Sequence, residues 1–203
     1  MKKIDVPYLD QSGQAPTGCE SVSAVMLLRY LGYPVTIPDF LDHVLERGVF
    51  EKRGDELWGS DPRQCFVGDP RDPEALGCYA PVMVKALRRV AGERYDVVDE
   101  TGTEIDELCR RYIDNGMPVL LWCSINMRPT VNGPWYRLIP SGQPFMWVSN
   151  EHCLLLVGYD DENYWFNDPW HDHGVCLQPK QLVEDCHAAQ GLFAVTLRPK
   201  GEA

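Results

Sequence analysis

Cys19 stands at the start of a long apolar segment, directly before Glu20. Residues 22–31 are nearly all apolar and predict a helix buried on all sides, with Thr17 as N-cap and Glu20 completing a capping box. Cys19 then lies at the second helical position, where unpaired backbone N–H groups and the helix dipole stabilise a thiolate. The placement therefore predicts a nucleophile whose pKa is lowered from the ordinary cysteine value.

A thiol nucleophile needs a base, and the base needs a residue that orients it. His152 opens an apolar strand at 152–159, and Asp168 lies in a returning strand at 164–170. If the turn between them has an odd number of residues, Leu154 faces Asp168. His152 and Asp168 are then diagonal neighbours on one face, about 7–8 Å apart between backbones and within reach of a hydrogen bond. A four-residue turn would put them on opposite faces.

The elements that must position these residues follow from periodicity and from glycine and proline positions. Helices are expected at 37–47, from Pro81 to Gly92, from a cap at Thr103 and Asp106 to Gly116, and at 179–190. Besides the hairpin, strands are expected at 117–125 and 192–197. Helices come first and strands later, which predicts a single α+β domain over residues 1–203 with a helical half packed on an antiparallel sheet half.

Two further segments, 48–80 and 128–149, are interpreted as long loops. The first is rich in glycine, proline and aspartate, and the second is rich in aromatic residues. Long loops in compact domains are usually functional, so we expect both to rim a cleft. The aromatic residues expected to line it are Trp135, Tyr136, Phe145, Trp147 and Trp170.

Composition excludes some classes of partner. The chain has 203 residues with 19 Lys and Arg against 30 Asp and Glu, and its net charge of −11 disfavours nucleic acid. No run of about 18 apolar residues is present, so we expect no membrane span. The opening MKKIDVPYLDQ has no apolar core and is not a signal peptide. We expect a cytoplasmic protein, or a secreted one if a leader has been removed; no oligomeric state is predicted.

The eight cysteines contain no C-x-x-C pair, which argues against a zinc ribbon or a redox dithiol. Several lie in apolar patterns, so a reducing compartment is favoured. In an oxidising compartment, Cys65 and Cys78 would be the first pair to examine for a disulfide.

A zinc site is a separate hypothesis, carried by the letters HDHGVC and a later Cys-His pair. Its residues are His171, His173, Cys176, Cys186 and His187. The same letters are typical of a polar turn after Pro169. We expect no metal and no cofactor.

The segments VPYLDQSGQAPTGCESVSAVMLLRYLGY and NEHCLLLVGYDDENYWFNDPW, with GSDPRQCFVGDPR and GCYAPV between them, resemble the stand-alone C39-like cysteine peptidases, a papain-like group. The resemblance covers nearly the whole chain and implies a papain-like fold and a peptide or amide substrate. It implies that Cys19 is the nucleophile, His152 the general base and acid, and Asp168 the residue that orients the imidazole. Gln11, in the V-P-Y-x-x-Q pattern, matches the oxyanion-binding glutamine; Gln14 is the alternative.

The resemblance leaves the reaction partly open. Transporter-linked C39 peptidases carry membrane spans and a G-x-x-x-x-G-K-[ST] motif, and this sequence shows neither. Hydrolysis of a peptide or amide through a thioester is the first expectation. Acyl transfer to an amine by the same triad is the alternative, and a non-catalytic binding protein is a third.

Overall fold

The computed structural model describes residues 1–170 and 172–201. The helices are α1 (Cys19–Tyr30), α2 (Ile37–Asp39, continued by a π-helical turn at Phe40–Val44), α3 (Ala80–Ala91), α4 (Ile105–Arg111) and α5 (Lys180–Ala189), with 3₁₀ turns at Ile113–Asn115 and Ile125–Met127. The strands are β1 (Lys2–Lys3), β2 (Arg47–Gly48), β3 (Phe50–Arg53), β4 (Glu56–Gly59), β5 (Phe66–Val67), β6 (Tyr95–Asp99), β7 (Val119–Ser124), β8 (Asn132–Leu138), β9 (Pro144–Val148), β10 (Glu151–Tyr159), β11 (Asn163–Asp168), β12 (Gly174–Pro179) and β13 (Ala194–Pro199).

The main sheet is antiparallel throughout. Its strand order is β12-β11-β10-β7-β13-β6, and β1 pairs with the far end of β10. Helix α1 packs on β10 and β7, α3 packs on β6, and α5 packs on β7 and β12. The α+β prediction, with helices against an antiparallel sheet, is confirmed.

Helix α1 is the centre of the core. Every residue from Cys19 to Leu28 is buried, including both serines. Burial of each large apolar side chain contributes about 1.5–3 kcal/mol, so packing rather than helix propensity holds α1 in place. Gly32 follows the helix with φ of 84°, a left-handed conformation that glycine adopts without strain. The prediction of a buried central helix that ends before Gly32 is confirmed.

The predicted capping box of α1 is wrong. The N-cap is Gly18, and no side chain caps the helix, so Cys19 is its first residue and not its second. The Thr17 hydroxyl instead donates to the backbone carbonyls of Pro70 and Asp72, which fastens the 69–76 loop to the start of α1. Glu20 accepts a hydrogen bond from the Cys78 backbone N–H at 2.6 Å, which draws its carboxylate away from the cap position.

The cap expected for the fourth helix also differs. Its N-cap is Glu104, without a side-chain hydrogen bond. Thr103 donates to the Glu100 carboxylate at 3.0 Å instead, and the ion pair of Glu100 with Arg111 holds that acceptor in place. A nearby acceptor therefore removes the threonine from the helix end.

The segments interpreted as loops, 48–80 and 128–149, contain strands. Strands β3, β4, β8 and β9 form a second, four-stranded sheet, in which β4 runs parallel to β8. Each hairpin alone is marginally stable, and they support each other only because the parallel pairing joins them. That pairing links positions about 80 residues apart, such as Trp58 and Arg137, so no local pattern indicates it.

No helix of the described part of the chain is long and apolar enough to cross a membrane. All eight cysteines are free thiols, and Cys65 and Cys78 are not joined.

Candidate active site

Cys19 lies where the start of α1 meets strand β10. Its side chain is 5% exposed and lines a cavity of about 700 Å³. The sulfur accepts a hydrogen bond from the backbone N–H of Cys153 at 3.3 Å. The sulfur thus contacts the backbone of the residue after His152, while the His152 imidazole forms no hydrogen bond to it. Both Cys19 and His152 line the same cavity.

His152 and Asp168 form a buried pair. The imidazole Nε2 and the Asp168 Oδ1 lie 2.6 Å apart, and both side chains are at most 3% exposed. Asp168 Oδ1 also accepts the Trp170 backbone N–H at 2.9 Å, and Oδ2 lies 2.7 Å from His173 Nδ1. Burial alone would raise the pKa of Asp168, but the charge and hydrogen bond of His152, with those two further contacts, hold it below its ordinary value.

This pair fixes which nitrogen of His152 is available for chemistry. With Asp168 ionised, Nε2 carries the proton that it shares with the carboxylate, so neutral His152 has its lone pair on Nδ1. Nδ1 is buried and has no hydrogen-bond partner among the described residues. Trp170 packs its ring edge-on to the imidazole at 5.8 Å and limits its rotation.

A β-bulge sets the register that brings His152 and Asp168 together. The strand bounds leave three residues, 160–162, between β10 and β11, but Tyr159 pairs with Tyr164. Four residues therefore separate the first paired positions, the even number that would put the two side chains on opposite faces. The register then shifts between Leu156 and Gly158, and Leu155 pairs with Asn167, the predicted alignment. The register expected from an odd turn therefore fails at the tip of the hairpin, and one extra residue in β10 returns His152 and Asp168 to the same face of the sheet.

Of the two candidate glutamines, Gln11 lies at the cavity. It is 2% exposed, it lines the cavity, and its Nε2 donates to the Pro16 carbonyl at 2.7 Å. A carboxamide nitrogen has two hydrogens, so one remains for another acceptor. Gln14 is exposed and is not among the cavity residues.

Two buried carboxyl groups beside the thiol were not predicted as site residues. One oxygen each of Glu20 and Glu151 and the Cys19 sulfur all lie within 4.8 Å of one another. Glu20 Oε2 is 3.4 Å from the sulfur, and Glu151 Oε1 is buried without a partner. The signal was present as G-C-E and E-H, with one acid adjacent to each of the two reactive residues, but Glu20 was interpreted as a helix cap.

Burial and these carboxyl groups shift the pKa of the thiol in the direction opposite to the predicted one. Burial, and then the charges of Glu20 and Glu151, raise the pKa of Cys19 well above its ordinary value, against the Cys153 N–H, which lowers it. Burial raises the pKa of Glu20 to about 7, and burial with the charge of Glu20 raises that of Glu151 well above normal. Burial raises a thiol pKa by up to about 3–5 units, which exceeds the decrease that the helix N-terminus produces. The expectation of a lowered pKa is wrong for the free protein.

The walls of the cavity come from both sheets. Phe50, Leu57 and Pro134 of the second sheet line it, together with Trp147 and with Trp170 beside the main sheet. The remaining aromatic residues of 128–149 lie elsewhere: Trp135 is 63% exposed, and Tyr136 packs against Phe145 at 5.5 Å. Apolar side chains therefore form the walls of the cavity, and the polar side chains of Cys19, Glu151 and His152 also line it.

The predicted zinc ligands do not gather. Within residues 1–170 and 172–201, the group able to hold a metal ion is the Cys19–Glu20–Glu151 cluster. His187 Nδ1 lies 2.9 Å from the Trp122 carbonyl, and the Cys186 thiol contacts the Ser124 hydroxyl. His171 lies outside the described residues.

A buried cysteine at the start of a central helix, packed on an antiparallel sheet that carries a histidine–aspartate pair, defines the fold as papain-like. The model of the Peptidase_C39 like family matches residues 3–187, and the chain belongs to that family. The protein is also similar to YvpB of Bacillus subtilis (strain 168), which is described as uncharacterized: 32% identity over 172 residues, covering 83% of this chain and 65% of YvpB. The chain thus spans less than two thirds of that relative's length.

The fold has a solved counterpart. A crystal structure from Bacillus anthracis, whose description proposes a C39-like peptidase, superposes with a TM-score of 0.83 at 24% identity, over 98% of this chain and 100% of the other. At that identity the match supports the fold, and the chemistry depends on this chain's own residues.

Proposed function

We propose that the protein is a cysteine peptidase or amidase that hydrolyses its substrate through a thioester on Cys19. The observation that carries the proposal is the joint position of the Cys19 thiol and the His152–Asp168 pair at one cavity. Membership of a peptidase family supports the same reaction class.

In the proposed reaction, His152 Nδ1 takes the thiol proton as the sulfur attacks the substrate carbonyl carbon. A resting thiolate is not required, which agrees with the raised pKa of Cys19. The C–N bond then breaks, and the imidazolium returns its proton to the leaving amine. Water attacks the thioester, passes a proton through His152 to the sulfur, and releases the carboxylic acid.

The negative charge that develops on the carbonyl oxygen needs preorganised donors. We assign this role to the second Nε2 hydrogen of Gln11 and to the backbone N–H of Cys19. As the first residue of α1, Cys19 has no intrahelical acceptor for that N–H. Asp168 acts on the imidazole alone, by holding the tautomer with Nδ1 unprotonated.

Cys19→Ala tests the assignment. Hydrolysis of a peptide pool, followed by mass spectrometry of the products, should be abolished by Cys19→Ala and retained by Cys65→Ala, which removes a half-buried thiol outside the site. A trapped acyl adduct on Cys19 would be the direct signature. Hydrolysis by Cys19→Ala near the wild-type rate, with a native melting curve, refutes the proposal. Adding a competing amine separates hydrolysis from acyl transfer, because transferase activity would divert most of the product to the amine.

A further inference from the structure

Two buried carboxyl groups at the base of the cavity have no cationic partner among the described residues. Glu20 is fully buried and Glu151 is 8% exposed. Within the described residues no lysine, arginine or histidine forms an ion pair with either, and burial is the main cause of both raised pKa values. Buried charges are normally paired, so this arrangement calls for a partner from outside the chain.

Glu151 is the member of the pair that a ligand can reach. It lines the cavity, and its buried Oε1 has no hydrogen-bond partner within residues 1–170 and 172–201. Glu20 does not line the cavity, and its Oε1 is held by the Cys78 N–H. No lysine or arginine is among the described residues that line the cavity.

Distance limits which part of a substrate can meet Glu151. An oxygen of Glu151 lies within 4.8 Å of the Cys19 sulfur, which must approach the reacting carbonyl carbon to about 3–3.5 Å. The α-nitrogen of the residue that carries this carbonyl is two bonds away, about 2.5 Å from the carbon. A lysine ammonium lies several bonds farther out. Of the substrate nitrogens that can carry a positive charge, the one that fits beside Glu151 is therefore the α-nitrogen.

The charge of the pair then distinguishes a free amine from an amide. Burial raises the pKa of both carboxyl groups, that of Glu20 to about 7, so a negative charge on the pair is costly while no cation lies beside it. A protonated α-amine balances that charge and donates to Oε1. An amide N–H at the same place donates a hydrogen bond but supplies no charge.

We propose that Glu151 binds the free α-ammonium group of the residue whose carbonyl Cys19 attacks, so that the enzyme removes single residues from unblocked N-termini. This inference rests on the proposed function and names its substrate class. It adds Glu151 to the groups that touch the substrate and makes Glu20 a positioning residue behind it.

The proposal also accounts for a nucleophile that is poorly ionised in the free protein. A bound ammonium offsets the carboxylate charges which, after burial, raise the pKa of Cys19. The thiol thus gives up its proton most readily when the correct substrate is present. Blocked or absent substrates leave it protonated.

The test compares peptides that differ only at the N-terminus. A panel of synthetic peptides, each with a free and an acetylated N-terminus, is incubated at pH 6.5, where an α-amine of pKa about 7.7–8.0 stays protonated. We expect wild type to release the first residue and acetylation to lower kcat/KM at least about 10-fold, the effect of losing one hydrogen bond between charged groups. Glu151→Gln should make the two forms equivalent. Glu162→Gln, which removes a charge from the exposed β10–β11 turn, should keep the preference.

A binding measurement keeps the test independent of turnover and of folding. Cys19→Ala should bind the free peptides more tightly than the acetylated ones by calorimetry, and Cys19→Ala/Glu151→Gln should not; melting curves verify that both are folded. Cys19-dependent cleavage at internal bonds, at equal rates for both forms, would overturn this inference and leave the proposed function standing. Absence of all Cys19-dependent cleavage would overturn the proposed function. Stoichiometric Zn²⁺ binding that Glu151→Gln abolishes, with no preference between peptides, would assign the cluster to a metal ion instead.

Discussion

Asp168 orients His152, and its removal should cost both stability and activity. Asp168→Ala deletes the acceptor of the 2.6 Å contact with His152 and of those with the Trp170 N–H and His173. Removing one partner of a buried charged pair costs about 3–5 kcal/mol of unfolding free energy. At about 2–4 °C per kcal/mol for a chain of this size, the Tm should fall by about 6–20 °C.

Asp168→Asn is the matched control for shape. The amide oxygen can still accept from the Trp170 N–H, so we expect a smaller loss of about 1.5–3 kcal/mol, the value of one hydrogen bond to a charged group. Activity should fall strongly in Asp168→Ala, which removes the acceptor of the Nε2 proton, and less in Asp168→Asn, whose amide oxygen at the Oδ1 position still accepts that proton but carries no charge.

The pH dependence gives the sharper test. The folded pKa of Asp168 lies below its ordinary value of 3.8, so its stabilisation is fully present above that value and is lost as the pH falls through the lowered folded value. The stability gap between wild type and Asp168→Ala should therefore be full at pH 7 and shrink below pH 3.8. Urea unfolding at several pH values measures it. A gap below about 0.5 kcal/mol at pH 7, within the range of ordinary surface substitutions, or a gap that stays constant into acid would refute the argument.

Three further outcomes follow from the same site. Glu20→Gln should gain unfolding free energy relative to wild type as the pH rises from 4.5 to about 7, because in this range the unfolded wild-type carboxyl ionises while the buried one keeps its proton, which favours the unfolded wild type; a flat difference in urea titrations would contradict this. The same variant should accelerate iodoacetamide labelling of Cys19 at pH 8, since it removes a negative charge 3.4 Å from the sulfur; peptide mass mapping measures the rate, and unchanged labelling would be the contrary result. Gly77→Ala should destabilise by about 1–3 kcal/mol, because φ is +155° and a Cβ would lie 2.7 Å from Glu20 Oε1 and 3.0 Å from Trp147; Gly13→Ala, where a Cβ meets nothing within 4 Å, is its control in thermal melts.

The sequence predicted those features that depend on local pattern. The all-apolar helix after Cys19, the β10–β11 hairpin and the α+β class follow from periodicity and from glycine placement. The second sheet does not, because a parallel pairing across about 80 residues leaves no local trace. The helix caps were mispredicted because Thr17 and Thr103 found acceptors elsewhere in the fold.

The candidate site shows the same division. The spacing of His152 and Asp168 predicted their contact, although the register at the tip of the hairpin differs from the expected one. The direction of the Cys19 pKa shift was not predictable, because it is decided by burial and by the approach of Glu151 from strand β10. Sequence spacing thus indicates which side chains meet, whereas the burial and the neighbouring charges that set their pKa values become visible only in the three-dimensional structure.

The bulge in β10 makes the face shared by His152 and Asp168 independent of the length of the β10–β11 connection. Without the bulge, adding or deleting a single residue between the paired Tyr159 and Tyr164 would turn every side chain of one strand to the opposite face of the sheet. With an irregular position between the connection and the reactive pair, such an indel is absorbed by gaining or losing the bulge. The tip of this hairpin should therefore tolerate an insertion or deletion of one residue without loss of the His152–Asp168 contact.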